Sequence, residues 1–330
     1  MPETIIIVII ALALLFDISN GYNDAANAIA TVVSTRVLKP KQAVILAVMM
    51  NILGAFLTTA VAKTIGKGVV DPKAITEIVV ASTLFAGFFW NTLMTIFGLP
   101  VSASHALIGG LMGASVSYGG VKILNISGLT QIFSSLLVSP VIGIIFGFFI
   151  MRFILKFFGT FPVGTINKYF GRLQLLSSGF MAFSHGSNDA QKVMGIITLS
   201  LVSGGFLHSV EVPFWVIIIC ALAMGLGTAL GGWKVIKTMG VSMVKLEPVH
   251  GFAAETSATA VILGATHLGL PVSTTHVIAT AIMGVGATKR LSAVRWGIGK
   301  KIVLAWVLTL PVCALLAWLI CKGIYLCIAG

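Results

Sequence analysis

The chain has 330 residues, 58% of them hydrophobic and only 9% charged, with 21 Lys and Arg against nine Asp and Glu for a net charge of +12. Soluble domains carry about 25% charged residues, so this balance excludes a soluble enzyme or regulatory domain and identifies an integral membrane protein. The mean hydropathy of +1.07 agrees. The basic residues are scattered through short connections (Arg36, Lys39 and Lys41; Arg152 and Lys156; Lys289, Arg290 and Arg295). That is the pattern of positive membrane loops in contact with lipid, and it argues against nucleic acid as a partner.

In chain order, Met1-Pro2-Glu3-Thr4 lacks the basic region that precedes the apolar core of a signal peptide, so 5–35 is read as mature protein. Apolar runs at 42–62, 76–97, 129–151, 212–232 and 302–321 approach the roughly 20 residues needed to span a bilayer. The runs 5–16 and 175–184 are shorter and read as half-helices or re-entrant pieces. Solid apolar blocks, rather than alternation over about ten residues, favour helices over a β-barrel. An amphipathic stretch from Gly232 to Lys245 is expected along the membrane surface, as an addition peculiar to the second half of the chain. Cys220, Cys313, Cys321 and Cys327 lie in apolar segments without metal-type spacing and read as buried thiols.

Two motifs occur twice in the same order. Gly21-Tyr22-Asn23-Asp24-Ala25 returns as Gly186-Ser187-Asn188-Asp189-Ala190. The element from Gly98 to His105 (Gly-Leu-Pro-Val-Ser-Ala-Ser-His) returns from Gly269 to His276 (Gly-Leu-Pro-Val-Ser-Thr-Thr-His), identical at six of eight positions. The reading is an all-α membrane protein of two repeats, 1–155 and 156–330, with roughly ten to twelve membrane segments. Each repeat has a helix broken at its Asn-Asp motif (21–28 and 185–192) and a re-entrant hairpin (98–117 and 269–288). Duplication with interrupted apolar segments is the signature of a secondary transporter. The connection after the first Asn-Asp helix is basic, whereas its counterpart Ser203–Val212 has no Lys or Arg, so the repeats are expected to be inverted. Lys63, Lys67 and Lys73 run against that bias.

Four acids stand in apolar surroundings: Asp17, Asp24, Asp189 and Glu255. A charge at the bilayer centre costs at least about 2.5–3.5 kcal/mol and marks a functional site by default. Asn23, Asp24, Asn188 and Asp189 combine carboxylate and amide oxygens suited to a small hard cation. Glu255, with Thr256, Ser257 and Thr259 nearby, offers a further cation or proton site. Asp17 either serves the ion site or caps the first apolar run.

In each hairpin, proline followed by serine predicts a capped helix start, whose free N–H groups and dipole attract an anion. Ser102, Ser104, Ser273, Thr274 and Thr275 would add hydroxyl donors, and Gln191 an amide donor. His105 and His276 read as buttresses of the hairpins, with proton coupling open. Lys192 stands one helical turn from Asp189, where the first repeat has Asn27 opposite Asp24.

Taken together, Gly-Tyr-Asn-Asp-Ala-Ala-Asn-Ala at 21–28, His-Gly-Ser-Asn-Asp-Ala-Gln-Lys at 185–192 and the Gly-Leu-Pro-Val-Ser elements resemble the inorganic phosphate transporter (PiT) family, in its prokaryotic form. The resemblance covers essentially the whole chain. It implies a sodium-coupled phosphate importer of the inner cell membrane, homodimeric and working by alternating access, with sodium as the only accessory ion and no cofactor. It also implies that Asn23, Asp24, Asn188 and Asp189 serve the coupling ions while the hairpins and Gln191 hold phosphate. Asn51 stands where animal members carry a glutamate, which puts that carboxylate's role in doubt here. Proton-driven transport of sulfate or metal phosphate, and a passive channel, are the alternatives; no Ser/His/Asp set or metal pair points to an enzyme.

Overall fold

The computed structural model describes residues 2–71 and 74–329, so Lys73 lies outside the described residues. These form twelve α-helices: α1 (Pro2–Ser34), α2 (Pro40–Ala55), α3 (Ala60–Gly68), α4 (Glu77–Ile96), α5 (Ala103–Gly119), α6 (Ile126–Phe158), α7 (Val163–Ser203), α8 (Phe214–Leu230), α9 (Trp233–Lys237), α10 (Pro248–His267), α11 (Thr274–Lys289) and α12 (Trp296–Ala329). Four helical stretches, Thr4–Ser34, Glu77–Ile96, Ile126–Phe158 and Trp296–Ile328, are long and apolar enough to cross a membrane. Two bent pairs, α2 with α3 and α8 with the stretch Trp233–Ser242, bring the number to six if each is one span. The outer surface is apolar, as at Leu137, Phe149, Val307 and Leu326. Many polar residues of the helices are buried, among them Asp17, Asn23, Asn51, Asn188 and Glu255.

Three expectations are corrected. The Asn-Asp motifs do not break their helices: α1 and α7 run without interruption through 21–28 and 185–192, and absorb the short runs 5–16 and 175–184. The motif glycines serve close packing instead. A Cβ on Gly21 would lie 2.7 Å from the Met224 carbonyl of α8, and one on Gly186 would lie 2.1 Å from the Asn51 carbonyl of α2. Small residues let helix backbones approach where lipid offers no hydrophobic drive to association.

The stretch after Gly232 is not peculiar to the second half either. α8 bends by 66° into it, and α2 bends by 69° into α3 at the matching place. Rather than merely lying at the surface, it packs on the hairpin of the other half: Lys234 Nζ donates to the Ile96 carbonyl (3.0 Å) and Thr238 Oγ1 to the Gly98 carbonyl (2.8 Å). The third correction concerns the thiols. Cys220, Cys313 and Cys321 are buried, but Cys327 is exposed near the end of α12.

The halves interlock. α5 packs on α12 and α11 on α6, while α1 lies against α8 and α7 against α2. α5 brings Gly109 and Gly113 against the α12 backbone; α6 brings Gly143 and Gly147 against that of α11. At 17 and 16 residues, α5 and α11 are about 25 Å long, short of the roughly 30 Å hydrocarbon core. Each follows a turn through a glycine of positive φ, Gly98 (69°) and Gly269 (68°), and starts inside the protein, where Ser102, Ala103, Ser273 and Thr274 are buried.

Candidate functional site

The two uninterrupted helices α1 and α7 carry their Asn-Asp motifs to the tips of the two hairpins. Asn23 Nδ2 donates to Thr95 Oγ1 (2.6 Å) and the Leu99 carbonyl (3.4 Å), while its Oδ1 accepts from the Val101 N–H (3.3 Å). Asn188 repeats the set in the other half, with Thr266 Oγ1 (2.9 Å), the Leu270 carbonyl (3.4 Å) and the Val272 N–H (3.4 Å). Both asparagines thus clamp the proline turns.

Those turns start α5 and α11. Ser102 Oγ accepts the His105 N–H and Ser273 Oγ the His276 N–H, the N-caps foreseen from sequence. The tips touch: Ser104 Oγ donates to the Val272 carbonyl (2.9 Å), and the His105 and His276 rings lie 4.8 Å apart. His276 also stacks on Trp306 at 3.9 Å, so the histidines pack the junction.

Beside it lie the acids. Asp24 Oδ1 accepts from Thr275 Oγ1 (2.8 Å) and Oδ2 from Thr274 Oγ1 (3.5 Å). Asp189 accepts from Lys192 Nζ on Oδ1 (2.8 Å) and from Asn20 Nδ2 on Oδ2 (3.3 Å). His185 stands between them, with Nε2 3.7 Å from Asp24 Oδ2 and 3.8 Å from Asp189 Oδ2. Its Nδ1 meets Asn51 Oδ1 at 2.9 Å, and Asn51 Nδ2 donates to Thr228 Oγ1. Asp24, His185 and Asp189 offer ligand atoms within 4.8 Å of one another, a set able to hold a cation. All three are buried, as are Asn23, Asn188, Ser102, Ser104, Ser273, Thr274, Thr275, Gln191 and Lys192.

Two residues stand apart from this cluster. Gln191 Oε1 accepts the N–H groups of Val61 (2.8 Å) and Ala62 (3.3 Å), and its Nε2 donates to the Ser187 carbonyl. It therefore holds the start of α3. Glu255 is buried on α10, where Thr31 Oγ1 (2.5 Å) and Gln174 Nε2 (3.1 Å) donate to Oε1 and Ser177 Oγ to Oε2. Its partners come from α1 and α7, whereas its neighbours Ser257 and Thr259 bond to Ala253 and Met181.

Sequence reasoning missed His185, Asn20 and Asn27. The four-residue spacing of His185 and Asp189 was the available signal, since it sets both on one helix face. Asn20 and Asn27 reach the site from the same face of α1; Asn27 Nδ2 donates to Thr274 Oγ1 (3.3 Å) and Thr275 Oγ1 (3.0 Å).

Residues 20–317 match the Phosphate transporter family. The chain is 46% identical to a probable low-affinity inorganic phosphate transporter of Bacillus subtilis, over 95% of this chain and 94% of that one. It is 45% identical to a protein of the same description from Rhizobium meliloti, over 94% and 93%. Among solved structures it resembles one titled the sodium-dependent phosphate transporter, with a TM-score of 0.89 at 27% identity, covering 98% of this chain and 99% of that one. An all-helical scaffold with a buried polar centre, and likeness along nearly its full length, lead to one conclusion: the chain belongs to the phosphate transporter family and is a multi-pass membrane transporter, not an enzyme.

Proposed function

We propose that the protein imports phosphate together with sodium ions by alternating access, its two halves lying inverted in the inner cell membrane. One observation carries this reading. The capped starts of α5 and α11 meet beside two buried carboxylates, so an anion site and a cation site share one wall. The first-turn N–H groups of both helices, with Ser104, Thr274 and Thr275, hold phosphate oxygens. Asp24, Asp189 and His185 hold sodium. Asn23, Asn188 and Gln191 position these groups, and Glu255 ties α10 to α1 and α7 at a distance.

Coupling follows from electrostatics. Two unit charges 4 Å apart interact by about 4 kcal/mol at an effective dielectric of about 20, so phosphate is repelled by Asp24 until cations arrive. The hydroxyls act in the same sense. Thr275 donates to Asp24 at 2.8 Å, and a sodium ion on that carboxylate frees the O–H to turn toward phosphate. The burial of the whole cluster supports an occluded form that opens on one side at a time. The homodimer belongs to the same proposal.

Proton coupling is a second reading, favoured by the position of His185 between two carboxylates. Uptake of labelled phosphate into proteoliposomes under imposed sodium or pH gradients decides. Uptake driven by sodium, and abolished by Asp24→Asn, supports the proposal; uptake that ignores sodium and follows pH favours the second reading. Sulfate competing as well as phosphate would count against the substrate.

A further inference from the structure

The two acids of the cluster are satisfied by unequal means. Asp24 accepts hydroxyl hydrogens from α11, whereas Asp189 carries an ammonium of its own, Lys192 Nζ at 2.8 Å. Both members of that pair are buried, with side chains 1% exposed. A lysine in a membrane protein usually extends its charge toward the water interface. Here the charge is held inside, one turn along α7 from its acid. The corresponding residue of α1 is Asn27, which is neutral and bonds Thr274 and Thr275.

Resting on the sodium-coupled reading above, we propose that Lys192 is a tethered cation that takes the place of one coupling ion. This chain then moves one sodium fewer per phosphate than the same scaffold with a neutral residue at 192. The count is electrostatic. Asp24 and Asp189 bring two negative charges to the site and Lys192 returns one positive charge, leaving a single charge for a mobile cation to offset. Asp189 Oδ2 still faces His185 Nε2 and the Asp24 carboxylate, so the tether fills one side of the carboxylate and leaves the other in the shared cluster.

Asp17 is fully buried on α1, and neither oxygen makes a hydrogen bond among the described residues. Its own charge is common to every variant compared below, so the predicted differences do not depend on it.

The test is the sodium-to-phosphate ratio of the full-length protein in proteoliposomes. It is read from the membrane voltage at which net labelled-phosphate flux reverses under fixed gradients. Lys192→Asn raises the ratio by one, and Lys192→Arg, which keeps the tethered charge, leaves it at the wild-type value. A Lys192→Asn protein with the wild-type ratio overturns the proposal, as does one that changes only the KM for phosphate.

If Lys192→Asn does not fold, labelled sodium bound per protomer is counted in detergent on wild type and on Lys192→Gln. One sodium more in Lys192→Gln supports the tether, and a count equal to wild type overturns it. A wild type whose uptake ignores sodium defeats the coupling reading separately. In that event Lys192→Asn still decides the inference, by acquiring a sodium dependence or failing to.

Discussion

Asn23 and Asn188 make the same three hydrogen bonds, each to the turn of a different hairpin. One carboxamide clasps a threonine hydroxyl, a leucine carbonyl and a valine N–H at Thr95, Leu99 and Val101, and the other does so at Thr266, Leu270 and Val272. Interhelical hydrogen bonds in membranes average about 0.6 kcal/mol, so Asn23→Ala and Asn188→Ala should each cost about 2 kcal/mol. Thermal melts in detergent measure this. A double-mutant cycle of Asn23→Ala with Thr95→Val should show coupling of the same sign as Asn188→Ala with Thr266→Val. Additive losses in either cycle would refute the clamp.

The location of the site was legible because the same polar words are written twice in an apolar text. The proline turns and serine caps followed directly from local chemistry, since Ser102 and Ser273 need only their own next turn to act as caps. The continuity of α1 and α7 was not legible. Gly21 and Gly186 read as weak points of a helix when the chain is taken alone, and the α8 and α2 backbones that require them lie far away in sequence. The partner of Gln191 was not legible for the same reason: the start of α3, which it holds, is set by the packing of a bent helix pair.

That packing sets up a direct comparison of two glycines. A Cβ at Gly186 would meet the Asn51 carbonyl at 2.1 Å, while Gly264 has nothing within 4 Å of the corresponding point. Gly186→Ala must push α7 from α2 and should cost 1–3 kcal/mol or more, on the order of other overpacked cores, with loss of uptake. Gly264→Ala should stay within about 0.5 kcal/mol of wild type and transport normally. Parallel melting and uptake assays check both, and a tolerated Gly186→Ala would mean that the helices are not in contact there.

Glu255 separates support from transport. Its carboxylate already accepts three donors, from Thr31, Gln174 and Ser177. Glu255→Gln places an amide N–H where a donor now points and should cost about 1–3 kcal/mol for the unmatched group. Half-saturation by sodium should stay within about twofold of wild type, because the residue is outside the Asp24–His185–Asp189 cluster. Sodium titrations of phosphate uptake measure this, and a large shift would return Glu255 to the cation ligands.

The orientation of His185 supplies the last prediction. Asn51 Nδ2 donates to Thr228 Oγ1, which leaves Oδ1 as the acceptor for Nδ1–H of His185. In the neutral ring the lone pair then sits on Nε2, aimed between Asp24 and Asp189. Asn51→Leu removes the partner that fixes this tautomer while leaving the histidine in place. Sodium half-saturation should rise about tenfold, equivalent to about 1.4 kcal/mol, with maximal uptake largely retained. His185→Gln should do more, because it removes the proposed ligand atom itself. Thr228→Val should do less, because Asn51 can still present its oxygen. That ranking, measured as sodium dependence of phosphate uptake, follows from a chain of contacts running from α8 through α2 to the cluster. A Thr228→Val effect exceeding that of Asn51→Leu would break the chain at its middle link.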